Sequence, residues 1–383
     1  MPTDQKQNCT LTKVVSNQKG FVLIAALTLL TLLTLLGTTA YILSSTDIKV
    51  GGNFRDSQLA LQVAMAGAQK ARAQLNSELF PVSGTVVSLS AELAAKKGAN
   101  NVLNGYASGT DDVALANGSL NGSSYIAYLT NDALDANGQY STTDANSKVL
   151  ITSVATGPNS ASARVEMVVY SPSDLASSPA AVYSKGDVTG NGSSLTVSGN
   201  DSCGAGSALA PIYTKDPART NMNGNPTLSG SPSTSQHGST NFDIVDYIAK
   251  LKGGATTTLT ADQNGATYGS STNYVTVYSD TNNPPNNQGL KLQNITGYGI
   301  LLVTGDLELG GGFQWNGIIL ATGSVTLNGG GGGINIQGLI FTGTSTLTDI
   351  TINGGNVIGY DSCKVKKALS GGGARVVNWK QVY

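Results

Sequence analysis

The sequence predicts a mainly β chain of the α+β class carried on one long N-terminal helix. Three observations support this. Residues 21–46 hold no charged side chain, and residues 53–80 continue with small and apolar residues at helical spacing. Beyond residue 178, short apolar runs recur between glycines at intervals near 20 residues. The expected organisation is a polar segment over 1–20, a transmembrane helix over 21–46 and a continuing amphipathic helix over 47–80. A small mixed α+β region follows over 81–177, then a glycine-rich domain over 178–383. That last domain reads as a right-handed parallel β-solenoid, with an antiparallel β-sandwich as the alternative.

Composition narrows the function classes. The 383 residues carry 22 Lys+Arg against 23 Asp+Glu, so no basic excess points to nucleic acid. Only 12% are charged, which is low for a cytosolic protein, and the 48 glycines suit closely spaced turns.

From Phe21 to Thr46 an uncharged helix reaches about 39 Å, enough for a hydrocarbon core of about 30 Å with some tilt. Thr28, Thr31 and Thr34 recur every third residue, and their hydroxyls can bond back to carbonyls of the preceding turn. A secretory signal has its apolar core before the cleavage site. Here the only plausible processing site, Gly20–Phe21, precedes the core. Cleavage there removes a hydrophilic leader and keeps the span. Lys13 and Lys19 hold the leader in the cytoplasm by the positive-inside rule. An uncleaved signal anchor is the competing reading.

The Gly51-Gly52 pair is expected to interrupt the helix as a flexible or melted turn. From Asn53 the helical pattern resumes: Ala60, Ala64, Gly67, Ala71, Leu75 and Leu79 follow at spacings of three and four, and Pro81 ends the run. Small residues on that stripe would let a sheet or helix approach closely.

A basic polar stretch ending in Gly20, with an apolar helix opening at Phe21, resembles a type IV prepilin leader. The string "GGNFRDSQLALQVAMAGAQKARAQL" is similar to the segment after the membrane helix in PilX-type minor pilins, with Gly52, Asn53, Arg55 and Asp56 in the turn and Ala60, Ala64, Ala68 and Ala71 on the helix. Met65 stands where that family usually carries an acid. The match covers residues 15–80. It implies cleavage after Gly20 by prepilin peptidase, N-methylation of Phe21 and loss of Cys9 with the leader. It also implies partners among other pilin subunits and the pilus assembly machinery, and residence in the inner membrane before assembly into an extracellular pilus. Pilins usually carry glutamate at the fifth mature position, where the acid pairs with a neighbour's N-terminal amine. This chain has Ala25 there, as is typical of the pseudopilin that caps a filament, which favours a tip or initiating role.

In the exported body, "GTVVSLS" (84–90) and "SSYIAYLT" (123–130) read as strands, and "AELAAKKG" as a short helix ending at Gly98. Residues 149–154 and 163–169 form the clearest hairpin, turning at Gly157-Pro158-Asn159-Ser160. Residues 211–240 read as loop. "NFDIVDYIAKLKGG" reads as a helix capped near Asn241, with Ile244, Tyr247, Ile248 and Leu251 on one face. The strongest internal signal is a repeat: "GILLVTGDLEL" from Gly299, "GIILATGSVTL" from Gly317 and "GLIFTGTSTL" from Gly338, at offsets of 18 and 21 residues. "GNVIGYDSC" and "AVYSKGDVTG" echo it. Units too short to bury a core alone imply stacked coils, with glycine at the corners supplying positive φ. Cys203 and Cys363 each end a "DSC" string. They are a disulfide pair in an exported chain, or two separate buried thiols.

No enzyme constellation emerges. His237 stands in the stretch "STSQHGST" without a partner at metal spacing and reads as a surface residue. No glycine run continues into Lys-Ser/Thr as a phosphate loop requires. Asp306 and Glu308 would share one strand face, a weak calcium possibility. No cofactor is expected. The expected function is that of a structural minor pilin whose β domain is displayed near the filament tip, with adhesion as a possible role. The alternatives are a type II secretion pseudopilin and a membrane-anchored β-helix protein acting on carbohydrate.

Overall fold

The computed structural model describes residues 18–82, 84–107, 110–240, 242–280, 289–343, 350–372 and 375–382. Helix α1, Gln18–Leu79, runs 62 residues without a break. The expected interruption at Gly51-Gly52 does not occur. Glycine costs a helix only about 1 kcal/mol relative to alanine, and unlike proline it removes no hydrogen bond.

The far end of α1 is fixed by packing. Ala60, Ala64, Gly67, Ala71, Leu75 and Leu79 are buried against a five-stranded antiparallel sheet. A Cβ on Gly67 would lie 2.5 Å from Ser153 Oγ and 2.6 Å from the Tyr125 ring, so only glycine admits the sheet at that point. The sheet holds β1 (Ala116–Leu120), β2 (Ser123–Asn131), β3 (Lys148–Thr156) and β4 (Ser162–Tyr170) in order, and β3–β4 is the expected hairpin. The fifth strand, Arg375–Val382, returns from the C-terminus to pair with β4 at the sheet edge.

The segment 84–90 is not a strand. Ser88 accepts a hydrogen bond from Ala91 N and caps α2, Leu89–Lys96, whose Leu89 and Leu93 are buried. Val86 and Val87 have β propensity but no neighbouring strand to pair with, so the helix cap decides.

From Ala180 the chain builds two parallel sheets of short strands, and the named strands between 180 and 359 pair in parallel. The antiparallel sandwich is therefore excluded for this region. The repeat copies stack in register: Gly299 pairs with Gly317, and Gly317 with Gly338. The second half of the third copy, 344–349, lies outside the described residues. Residues 211–240, expected as loop, contribute strands Ala210–Thr214, Thr220–Asn223 and Thr227–Ser229, which add to the coil before them through backbone pairing. Thr220–Asn223 and Thr227–Ser229 are short and mostly polar, so hydrophobic patterning could not reveal them, whereas Ala210–Thr214 is fully buried, with Ile212 in a core.

Stacking does not follow chain order. The coil of 180–198 lies between that of 210–229 and that of 350–359. From 229 the chain crosses through α3, Ile244–Leu251, to the opposite end of the stack, then climbs back coil by coil until strands Ile350–Asn353 and Asn356–Gly359 close against Val188–Asn191 and Thr196–Ser198. Asp243 caps α3, accepting from Asp246 N; the expected cap, Asn241, lies outside the described residues.

Each repeat carries consecutive large apolar residues because the larger parallel sheet is buried on both faces. In strand Thr296–Thr304, Leu301 and Val303 face the core between the two parallel sheets. Ile300 and Leu302 face a second core shared with α3, α4 (Ser362–Gly372) and the α1 sheet. The repeat glycines lie inside strands rather than at corners. Gly317 has φ 137°, and a Cβ there would meet Gly299 O at 2.1 Å.

Candidate functional site: the exposed apolar helix

Among the described residues, 20–44 of α1 are exposed throughout. Its large apolar side chains from Phe21 to Leu43 are each 56–76% exposed. Among the described residues this is the one helix long and apolar enough to cross a membrane. Its threonine hydroxyls are satisfied internally. Thr28 Oγ1 donates to Ala25 O (2.9 Å), Thr31 to Thr28 O (2.8 Å), Thr34 to Leu30 O (3.0 Å) and Thr31 O (2.9 Å), and Thr38, Thr39 and Thr46 bond backwards in the same way. Threonine hydroxyls already bonded to the helix suit a medium that offers no hydrogen bonds, whether lipid or another apolar helix.

Gly20 and Phe21 sit in the first turns of α1, both exposed, with Ala25 one turn on. Lys19 is helical in its backbone, and Lys13 lies outside the described residues. The structure thus groups Gly20, Phe21 and Ala25 at one helix end and leaves Cys203 and Cys363 elsewhere.

Those cysteines are joined to each other across a sequence separation of 160. The two "DSC" strings follow adjacent paired strands, Thr196–Ser198 and Asn356–Gly359, so the bridge ties equivalent positions of neighbouring coils at the seam where the stack closes. The aspartates of both strings take part. Asp201 accepts from Ser362 N (2.8 Å) and Oγ (2.7 Å) at the start of α4, and Asp361 accepts from Ser202 Oγ (3.0 Å) and Lys364 N (3.0 Å). Burial opposes ionisation of Asp201, but these donors hold its carboxyl below the usual range.

Sequence reasoning gave Asp56 a place in the turn motif without a role. Its carboxylate is buried and accepts from Asn159 Nδ2 at 2.7 Å, tying α1 to the β3–β4 turn. Helix α4 was also missed, although Val365, Ala368 and Leu369 carry the apolar helical spacing and are all buried.

Other ionisable groups are structural. Lys96 bridges Glu78 and Glu92 (3.0 Å each), locking α2 to α1; burial and the adjoining Glu78 push Glu92 up. Asp144 is pushed up to about 6 by burial and by the charge of Asp174. His237 is not a loop residue: it lies in strand Gln236–His237, half-buried, with Nδ1 3.1 Å from Thr214 Oγ1. Asp306 and Glu308 do not converge. Asp306 accepts from Ser324 N, whereas Glu308 pairs with Lys291 at 2.8 Å. Among the described residues one His/Cys/Asp/Glu group has metal-ligand spacing, Cys203, Asp361 and Cys363, and its two sulfurs are already bonded to each other.

No family model matches the chain, and no curated protein matches it. Among solved structures, the competence-associated pilin ComZ from Thermus thermophilus is matched at 13% identity with a TM-score of 0.24, over 85% of this chain and 98% of that one. At that TM-score no argument about this chain rests on the likeness.

Proposed function

We propose that this chain is a minor pilin of the PilX type, a structural subunit of a type IV pilus. The observation that carries the reading is α1 itself. Its uncharged, exposed span over 21–46 is continuous with a second half buried on an antiparallel sheet, so one unbroken helix joins an apolar anchor to a displayed body. In this reading prepilin peptidase cuts after Gly20, Phe21 is N-methylated, and Lys13 and Lys19 keep the leader cytoplasmic. The mature chain rests in the inner membrane until residues 21–46 pack against neighbouring subunits. Ala25 supplies no carboxylate to pair with a neighbour's amine, which favours a tip or initiating position. The glycine-rich region is then a solenoid-like domain presented outward, with adhesion as its role. A type II secretion pseudopilin would share the same α1, and genomic neighbours or partner pulldown separate the two.

Mass spectrometry of the mature N-terminus tests the proposal. A methylated Phe21 is the expected result, whereas an intact Met1 or a cut beyond Leu43 overturns it.

A further inference from the structure

We infer that Cys203 is the entry cysteine of the Cys203–Cys363 bridge, the sulfur that takes the mixed disulfide from a disulfide donor, and that Asp201 is the positioning residue that brings Cys363 onto it. The inference concerns how the seam of the stack is locked and stands apart from the filament reading.

Access separates the two sulfurs. Cys203 is exposed and lies in the exposed run Ser202-Cys203-Gly204-Ala205, which carries no bulky side chain, so a donor can approach it. Cys363 is half-buried in the first turn of α4 and lines a cavity of about 150 Å³ with Leu209, Tyr360 and Val365. That volume is below the ~300 Å³ at which small-molecule sites begin, so a peptide-borne thiol does not fit there. A carboxylate oxygen of Asp361 lies within 4.8 Å of both sulfurs, so its charge acts on the two alike and leaves access to decide.

Hydrogen bonds supply the closing step. One oxygen of Asp201 accepts from Cys203 N at 3.2 Å and from the N of Ser362, the residue before Cys363, at 2.8 Å. Its other oxygen accepts from Ser362 Oγ at 2.7 Å and Gly206 N at 2.6 Å. The opposite string answers: Ser202 N donates to Tyr360 O at 3.0 Å, and Ser202 Oγ to Asp361 at 3.0 Å. None of these bonds involves sulfur, so they hold the two cysteines side by side in the reduced chain. Backbone pairing of Thr196–Ser198 with Asn356–Gly359 aligns the strands that lead into them.

In the first step Cys203 loses its proton and its thiolate attacks one sulfur of the donor disulfide, whose other sulfur leaves as a thiolate. Cys363, deprotonated in turn, attacks Cys203 Sγ and expels the second donor sulfur. The chain's two thiols are oxidised to a disulfide, the donor is reduced to two thiols, and the two protons released by the cysteines end on them. Held beside Cys203 by Asp201, Cys363 acts at high effective concentration, and the mixed disulfide is short-lived.

The test uses the full-length chain in detergent with Cys9→Ser, which leaves two cysteines. The bridge is reduced, the β signal is checked by circular dichroism, oxidised glutathione is added, and acid-quenched samples are mapped by mass spectrometry. The expected result is a glutathione adduct on Cys203 that converts rapidly to the bridge. Asp201→Ala should slow the conversion about tenfold, the equivalent of one or two lost hydrogen bonds, so that the Cys203 adduct accumulates while Cys363 stays unmodified. Should Asp201→Ala not fold, Ser362→Ala, which removes one bond to Asp201, takes its place with a delay of about threefold. A first adduct on Cys363, or equal adducts on both cysteines, overturns the entry assignment. Closure at the original rate in the variant overturns the positioning role, and so does a delay with adducts on both cysteines, which marks a loosened seam instead. Loss of the β signal on reduction alone overturns the claim that the hydrogen bonds outlast the bridge.

Discussion

Replacing Gly317 by alanine sets the packing of the stacked coils against the local freedom of glycine. Gly317 lies at φ 137°, a conformation that costs a side-chain-bearing residue about 1–3 kcal/mol. Its new Cβ would also lie 2.1 Å from Gly299 O. Reaching ordinary contact means moving one strand by more than about 1 Å. Gly317 is registered on both sides, to Gly299 and to Gly338, and Trp315 Nε1 donates to the same Gly299 O at 3.1 Å. Loosening two or three of these bonds costs about 1 kcal/mol each. The sum is about 3–6 kcal/mol, a large share of a typical stability of about 5–15 kcal/mol. Gly122→Ala is the control. Gly122 also has positive φ, at 79°, but a Cβ there meets nothing within 4 Å, so only the backbone penalty of about 1–2 kcal/mol applies. Urea unfolding of the full chain in detergent, followed by circular dichroism of the β signal, measures both variants. Gly317→Ala should lower the midpoint far more than Gly122→Ala. Equal losses would refute the claim that the inter-coil approach, and not the positive φ alone, demands glycine.

Three further outcomes are expected. Removing both cysteines (Cys203→Ala with Cys363→Ala) should cost about 5 kcal/mol in the chain-entropy model for a separation of 160, and unchanged unfolding midpoints with and without reductant would contradict it. Asp56→Ala deletes a buried acceptor of Asn159 Nδ2; it should destabilise by about 1.5–3 kcal/mol and speed amide exchange in the β3–β4 turn, and unchanged exchange there would show that the bond does not hold the turn. Asp144 has a folded-state pKa raised from 3.8 to about 6, so the folded state binds the extra proton and stability falls as pH rises through that window. Asp144→Asn should flatten this part of the stability–pH curve, and an unaltered slope would assign the effect to another group.

The local signals in the sequence were strong where one element explains itself. The stripe from Ala60 to Leu79 is buried on the sheet, the threonine hydroxyls bond back as their spacing requires, and the repeat glycines align coil on coil. Readings failed where propensity met context. Gly51-Gly52 looked like a break, yet one helix runs through it; Val86-Val87 looked like strand, yet Ser88 caps a helix. The polar strands Thr220–Asn223 and Thr227–Ser229 gave no periodic signal because backbone pairing to an existing coil, not a buried stripe, holds them in place.

The uncharged span, the helical stripe, the repeat and the matching "DSC" strings were legible along the chain, because each depends on residue type and spacing. How the pieces close is visible only in the folded molecule. Folding sets the coil of 350–359 against that of 188–198, brings the last strand back to β4, and leaves Met65 beside Trp379. These are contacts across more than 150 residues of chain, or between elements with no shared pattern. They follow from which edges and apolar faces remain uncovered once the local elements have formed, and spacing along the sequence does not encode that.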